Sequence, residues 1–198
     1  MLNGNKVVII LPLLVVAFIF YGGYSYWQSI GSVTNEELSQ YVNFDHNLQP
    51  RNEQFILTSE WEWTEMPAEG LIGTDYIGVS LLDANGQQLE DVSFVNGKVE
   101  LFYGNKVIYE AEGTPVENGF LFSFPNEMIE HEAFGNHGRI TVSFQGAEYI
   151  NGERVAISYL HTWGEHEPLQ LEDARFLVTT LDKSTIPHWI LEQTVEIP

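Results

Sequence analysis

The sequence has 198 residues, with 28 Asp and Glu against 8 Lys and Arg, six His and no Cys. The formal net charge of −20 argues against nucleic-acid binding, which needs clustered cations, and the lack of cysteine excludes disulfides, thiolate metal sites and cysteine nucleophiles. A hydrophobic content of 44% is enough for a packed core, so the length predicts one domain of ordinary size with a short appendage.

An apolar segment lies near the N-terminus. Residues 7–21 are almost wholly aliphatic or aromatic, and Tyr and Trp residues follow them up to Trp27, as in the aromatic belt of a membrane helix. Crossing the hydrocarbon of a bilayer takes about 20 helical residues, which is close to the length of 7–27. The sequence therefore predicts a transmembrane helix over 7–27, preceded by a cytoplasmic stub, 1–6.

The flanking charges predict the orientation of this helix. Lys6 precedes the span, whereas Glu36 is the first charge after it, and the positive-inside rule then places the N-terminus in the cytoplasm and the bulk of the chain outside. The protein is thus predicted to be a single-pass protein of the cell membrane, with the bilayer as partner through 7–27. A signal peptide cleaved near 23–25 or 29–31 is the alternative and would give a secreted protein, although no A-x-A site occurs.

Residues 28–53 are predicted to form a stalk with one short helix. Thr34 followed by Glu37 matches a capping box at a helix N-terminus. The helix is expected to run to about Asn43, and Pro50 closes the segment. The stalk would hold the following domain away from the membrane.

From residue 54 to 198 the hydrophobic pattern changes to a period of two, which indicates β-strands. Phe55, Leu57, Trp61 and Trp63 fall on one face of such a strand, opposite polar residues. Further strands are predicted over 120–124, 138–146, 153–162 and 174–181.

Turn residues separate these strands. Asn and Gly accept the positive φ of tight turns, so Asn-Gly pairs between alternating segments predict hairpins. These pairs lie at 85–86, 96–97, 118–119 and 151–152, with a related Gly-Asn pair at 104–105. The predicted fold class is therefore mainly β: an antiparallel β-sandwich, or a small barrel, built as a hairpin meander, which forms an acidic extracytoplasmic domain over 54–198.

Two segments rich in His and Glu are candidate metal sites. One contains His131 and His137, and the other contains His161 and His166. Imidazole and carboxylate groups bind zinc or copper, so the two segments could form one centre if they met in space. This hypothesis describes a metal-binding protein or a metal-dependent hydrolase. With 28 acids in the chain, a His beside a Glu is also expected by chance, and the sequence assigns no catalytic residue and no cofactor.

Aromatic side chains give a second hypothesis, binding of a carbohydrate or of the cell wall. Phe102 is predicted to be exposed because Val99, Leu101 and Tyr103 take the other face of its strand. Trp163 is the second candidate for stacking on a sugar ring. The hypothesis requires at least one of the two rings to be accessible.

Catalytic and nucleotide-binding motifs are absent: the sequence contains no HExxH, no G-x-S-x-G, no phosphate loop and no GxGxxG. The preferred prediction is therefore a non-enzymatic interaction or accessory domain of the cell envelope, tethered outside the membrane. Its expected partner is an envelope protein or a glycan.

Overall fold

The computed structural model of the chain describes residues 6–29, 33–89, 92–146, 153–177 and 186–198. The chain divides into two units, Met1–Ser32 and Val33–Pro198, and each is described by itself. The predicted turn at 151–152 and residues 178–181 of a predicted strand lie outside the described residues.

The first unit contains one helix, α1 (Lys6–Ser29), with Pro12 inside it. The helix forms where the apolar pattern predicts one, and every described side chain, from Leu11 to Tyr24, is exposed. Within the described ranges, however, no helix combines the length and the apolar character that a membrane crossing requires. The predicted membrane span over 7–27 therefore has no support from the structure.

The second unit consists of antiparallel strands, which confirms the mainly β prediction. In chain order the strands are β1 (Val42–Arg51), β2 (Gln54–Trp63), β3 (Thr74–Leu82), β4 (Ser93–Tyr103), β5 (Lys106–Glu112), β6 (Thr114–Val116), β7 (Gly119–Pro125), β8 (Glu127–Ile129), β9 (Glu132–Phe134), β10 (His137–Gln145), β11 (Arg154–Thr162) and β12 (His188–Glu196).

The strands form two five-stranded sheets, as in a sandwich. Sheet A has the order β1-β2-β10-β4-β5, sheet B has the order β12-β11-β3-β7-β6, and β8 and β9 form a separate hairpin. The chain is not a simple meander, since β2 pairs with β10 and β3 pairs with β11 across long stretches of sequence. Such pairings carry no short-range turn signal, which is why the hairpin pattern did not predict them.

One hydrophobic core lies between the sheets. Trp61 of sheet A is fully buried, and its ring lies 5.0 Å from Phe124 and 6.0 Å from Tyr159, both of sheet B. Strand β2 buries every second residue, because its other face points away from the core. The strict alternation read from Phe55 to Trp63 thus predicted both the strand and its buried face.

Sheet B is also covered on its outer face, by a segment that we call the strap (residues 165–177). Ala174 and Phe176 of the strap pack with Tyr76, Leu121 and Leu160 in a second hydrophobic cluster. Strands β3 and β11 are consequently buried on both faces. Residues 174–177, predicted as the start of a strand, belong to this strap.

The strap crosses β3 at Gly78, where there is no room for a side chain. A Cβ at this position would overlap the carbonyl oxygen of Ala174. We expect Gly78→Ala to lower the free energy of unfolding by about 1–3 kcal/mol and to loosen the strap, because backbone must move. Urea unfolding and limited proteolysis at 165–177 measure the two effects.

Ser80→Ala is the matched control for this prediction. Ser80 lies two residues along the same face of β3, and its buried Oγ has no hydrogen-bond partner among the described residues. Removing that hydroxyl should change stability by less than about 0.5 kcal/mol and should leave the strap resistant to protease. Equal proteolysis of the two variants would contradict the crossing at Gly78.

The structure corrects the predicted stalk, 28–53. The capping box of Thr34 and Glu37 forms, but the helix that follows is one 3₁₀ turn, Leu38–Tyr41. β1 then pairs with β2 along its whole length, because Val42, Phe44 and Leu48 alternate towards the core. The β-domain therefore begins at Val33 and not at residue 54.

His46 makes the stability of this edge depend on pH. Burial lowers the pKa of His46 below its usual 6.5, and its Nε2 has no partner among the described residues while Nδ1 contacts Ser59 Oγ at 2.9 Å. The unfolded chain takes up a proton near pH 6.5, whereas the folded chain does so only at lower pH. The contribution of His46 is therefore complete above pH 6.5 and is lost as the pH falls below it.

The test compares the wild type with His46→Gln by urea unfolding at about pH 7.5 and about pH 5.5. We expect the wild type to lose more stability on acidification than the variant does. Equal losses would show that His46 does not bind its proton differently in the two states.

Three predicted turns are present. Gly104 has a φ of +58° in the two-residue turn between β4 and β5, and Gly86 has a φ of +81° in the turn after β3. The pair at 118–119 joins β6 to β7. The pair at 96–97, by contrast, lies inside β4, where a Cβ on Gly97 would come within 3.0 Å of the rings of Phe120 and Phe122. That glycine allows close packing and makes no turn.

Candidate functional site

Two places in the β-domain concentrate polar side chains. The first is a buried group at one end of the sandwich, which we call the His161 cluster (Asn35, Asp75, Tyr159, His161 and Thr162). The second is the outer face of sheet A.

Strand alternation brings Asp75 and His161 together. In β3, Asp75 shares the core-facing side with Ile77, and in β11 His161 shares that side with Tyr159. The register pairs Leu160 with Tyr76, so the next step along the two antiparallel strands places His161 beside Asp75. Both residues are fully buried.

The carboxylate of Asp75 is the acceptor at the centre of the cluster. His161 Nδ1 lies 3.0 Å from Oδ2 and the hydroxyl of Tyr159 donates to the same oxygen at 2.7 Å. The backbone N–H of Thr162 donates to Oδ1 at 3.1 Å. Burial raises the pKa of Tyr159 well above its usual value, and the charge of Asp75 adds to this shift, so the phenol keeps its proton and donates.

Asn35 supplies the acceptor on the other side of the His161 ring. Its Oδ1 lies 3.1 Å from His161 Nε2, while its Nδ2 donates to Glu69 Oε2 at 2.8 Å. The bond to Glu69 fixes which way the amide points, because a carboxylate accepts only. Asp75 and Asn35 therefore place an oxygen acceptor beside each ring nitrogen of His161, and the side-chain amide of Asn126 also lies 3.4 Å from Nδ1.

Three tryptophan rings surround the imidazole ring of His161. The ring centroid of His161 lies 4.8 Å from Trp189, 5.3 Å from Trp63 and 5.4 Å from Trp163. Aromatic rings at these distances pack offset or edge-on against one another, which adds to the stability that burial gives. Trp189 Nε1 also donates to the backbone oxygen of Asn35 at 2.8 Å, so the same ring holds the N-terminal segment in place.

The geometry gives the His161 cluster a structural role. Neither Asp75 nor His161 exposes any surface, so neither side chain can touch a substrate. Their bonds join β3 and β11 to Asn35, which lies in the segment that leads into β1. The cluster therefore fixes the start of the β-domain to its core.

The outer face of sheet A carries the second group, centred on Glu60. Arg139 Nη2 and Nε donate to Glu60 at 2.6 and 3.0 Å, and His137 Nε2 lies 3.1 Å from it. The hydrogen bonds from Arg139, and then from His137, hold the pKa of Glu60 below its usual value. These groups are partly exposed, so their ion pairs contribute little to stability.

Phe102 lies on this face but is not exposed as predicted. The guanidinium of Arg139 lies 4.9 Å above its ring, and the His137 ring lies 5.1 Å away, which leaves Phe102 9% exposed. Trp163, the other predicted sugar platform, is half-buried and stacks on His161. The structure thus removes Phe102 as a stacking platform and leaves only part of Trp163 accessible.

The predicted metal ligands do not form a centre. Within the described ranges, no group of three or more His, Asp or Glu residues is arranged to hold a metal ion. His131 is exposed in the β8–β9 turn, His137 binds Glu60, and His166 Nε2 lies 2.8 Å from Thr162 Oγ1. His161 has both nitrogens engaged. The metal hypothesis therefore has no support here.

The outer face of sheet A also contains a groove with a cavity volume of about 570 Å³. It lies next to the turn that joins β1 to β2 and extends across β10 to β4. Amide and hydroxyl side chains line most of it, those of Asn52, Gln54, Asn96, Thr141, Ser143 and Gln145, together with Arg51, Glu53 and Ile56.

No family model and no curated protein matches the chain. Four chains of solved structures match, and one of them is a bacterial surface-protein subdomain. It is the collagen-binding subdomain ACE19 of the Enterococcus faecalis surface protein ACE, with 7% identity over 79% of this chain and 97% of that chain, at a TM-score of 0.38. A similarity this low carries no inference about function.

The sequence indicated only part of these sites. His161 was a candidate because of its neighbours in sequence, but its partners Asn35, Asp75 and Tyr159 were missed. One signal was available: Asp75 falls on the same alternating face as Ile77, where a buried acid needs a partner. The groove has no comparable signal, because three strands that are distant in sequence form it.

Proposed function

We propose that the protein is a non-enzymatic interaction domain of the cell envelope that binds its partner through the outer face of sheet A. The observation that carries this proposal is the difference between the two outer faces. The strap covers sheet B, whereas no described segment covers sheet A. Sheet A is therefore the sheet with a broad face left for a partner.

The chemistry of that face supports binding of a polar partner. Thr58, Thr141 and Lys98 lie side by side across β2, β10 and β4, with Asn47 and Glu112 at the two edges. Polar side chains on a flat sheet recognise a partner through directed hydrogen bonds. The buried position of Asp75 and His161 supports the non-enzymatic part of the proposal, because a reaction needs groups that reach the substrate.

The proposed location is the outer side of the cell membrane, with α1 as a single-pass anchor. The apolar sequence of residues 7–21 supports it, as does the position of Lys6 before this segment. An anchored domain meets envelope components at a raised effective concentration. Secretion after signal cleavage is the alternative, and it leaves the binding face unchanged.

A photo-crosslinking amino acid placed at Thr58 tests the binding face in cells. We expect a defined adduct from this position and none from Gln170, an exposed residue of the strap that serves as the matched control. The Thr58 adduct should also disappear when Arg139 and Lys98 are both replaced by Glu. Equal crosslinking from Thr58 and Gln170 would refute the assignment of the face.

Cell fractionation with the intact mass of the mature protein tests the anchor. We expect a full-length mass in the membrane fraction and removal of the domain by external protease. Leu14→Lys with Phe18→Lys should release the protein from the membrane, because a charge near the centre of a membrane helix costs about 2.5–3.5 kcal/mol. Gln170→Lys is the charge-matched control. A mature protein that lacks α1 and is found in the medium would replace the anchor with a signal peptide.

A further inference from the structure

The groove on the outer face of sheet A holds hydrogen-bonding groups that the protein itself does not use. The side chains of Gln54, Thr141 and Gln145 make no hydrogen bond to another residue of the described chain. Among the described residues, one side-chain hydrogen bond spans the groove, from Ser143 Oγ to Asn96 Oδ1 at 2.7 Å. The groove therefore offers amide and hydroxyl side chains, and each of them can both donate and accept a hydrogen bond.

The charge of the groove differs from that of the chain as a whole. The chain carries a formal charge of −20, whereas the lining of the groove holds one cation, Arg51, and one anion, Glu53. A polyanion would be repelled by the surrounding protein, and a cation would meet as much positive as negative charge in the lining of the groove. The ligand that fits this lining is uncharged and rich in hydrogen-bonding groups.

The position of the groove distinguishes a saccharide from a peptide. The groove lies on the face of sheet A, where the backbones of β2 and β10 are already paired, so an extended peptide cannot add to the sheet as a strand. Sugar hydroxyls donate and accept, as do the Gln, Asn, Ser and Thr side chains of the lining. Ile56 offers an apolar surface for the C–H face of a sugar ring.

We propose that this groove binds a segment of an uncharged oligosaccharide. This rests on the proposed function, since it assigns the ligand class to part of the same face. The groove lies at the end of the face next to the β1–β2 turn and does not use Phe102, so it differs from the aromatic platform that the sequence suggested.

Titration of the full-length protein in detergent micelles tests the proposal by NMR of the side-chain amides. The probes are chitotetraose and cellotetraose as uncharged oligosaccharides, tetragalacturonate as an anionic one, and an uncharged Ser/Asn/Gly peptide. We expect one of the uncharged oligosaccharides to shift the amide resonances of Gln54, Asn96 and Gln145. Gln54→Ala with Gln145→Ala should weaken its binding about tenfold, because two hydrogen bonds are lost.

Gln170→Ala is the matched control, since Gln170 is exposed on the strap and makes no hydrogen bond within the described chain. It should leave the affinity unchanged within about twofold. Three results would overturn the proposal: no shift with either uncharged oligosaccharide, tighter binding of tetragalacturonate or the peptide, or shifts confined to Trp163. If the Thr58 crosslink persists in any of these cases, the binding face stands and only the ligand class fails.

Discussion

Replacing Asp75 with alanine is expected to lower the free energy of unfolding by about 3–5 kcal/mol, because the buried groups that bond its carboxylate, among them His161 Nδ1, are left without an acceptor at about 1–3 kcal/mol each. The hydroxyl of Tyr159 and the N–H of Thr162 lose the same acceptor. Urea unfolding followed by tryptophan fluorescence measures the loss, and three of the tryptophans lie against His161.

Asp45→Ala is the matched control for this experiment. Asp45 is exposed on β1, and its removal should change stability by less than about 0.5 kcal/mol. A double-mutant cycle with His161→Leu isolates the pair. The double variant should lose less than the sum of the single variants, since the contact between the two side chains is then removed only once. Additive losses would show that Asp75 and His161 are not coupled.

Replacing Asn35 with alanine is expected to lower the free energy of unfolding by about 1–3 kcal/mol, because the buried His161 Nε2 then has no hydrogen-bond partner on that side. The bond from Asn35 Nδ2 to Glu69 is lost as well, whereas the backbone N–H of residue 35 can still donate to the same carboxylate. The change should also be local: amide hydrogen exchange of residues 34–41 should quicken more than that of β3 or β11. Mass spectrometry of exchanged peptides measures this difference.

Asn47→Ala provides the comparison, because Asn47 is an exposed asparagine on the outer side of β1. It should leave both stability and exchange nearly unchanged. Uniform faster exchange in Asn35→Ala would mean that Asn35 stabilises the whole domain without holding its own segment. Unchanged exchange at 34–41 would show that the His161 cluster does not hold this segment in place.

The alternation of apolar and polar residues was sufficient to predict the strands that bury one face and leave the other face polar. β2 buries one face against the core and leaves the other polar, so its residues alternate and predict the strand. The hairpin turn at Gly104 was equally readable, because its positive φ favours Gly. The same reasoning failed for β1, where a capping box and Pro50 suggested a stalk and masked the alternation of Phe44 and Leu48.

What the sequence could not show depends on contacts between distant residues. His161 and Asp75 are 86 positions apart, and only the pairing of β11 with β3 brings them together. The burial of Phe102 likewise depends on Arg139 from a neighbouring strand. Residue type and spacing made His161 a candidate, but its partners, which decide its role, required the sheet register.

The bonds made by Asn35 also bear on the order in which the domain folds. Asn35 contacts His161, 126 positions later, and Trp189, 154 positions later. A growing chain has therefore produced Asn35 long before either partner exists, and closing so long a loop is slow. Until then, Leu38 and β1 have no complete core to pack against. We therefore expect the domain to become resistant to protease only once β12 has been synthesised. This late strand supplies a contact that holds the N-terminal segment of the domain in place.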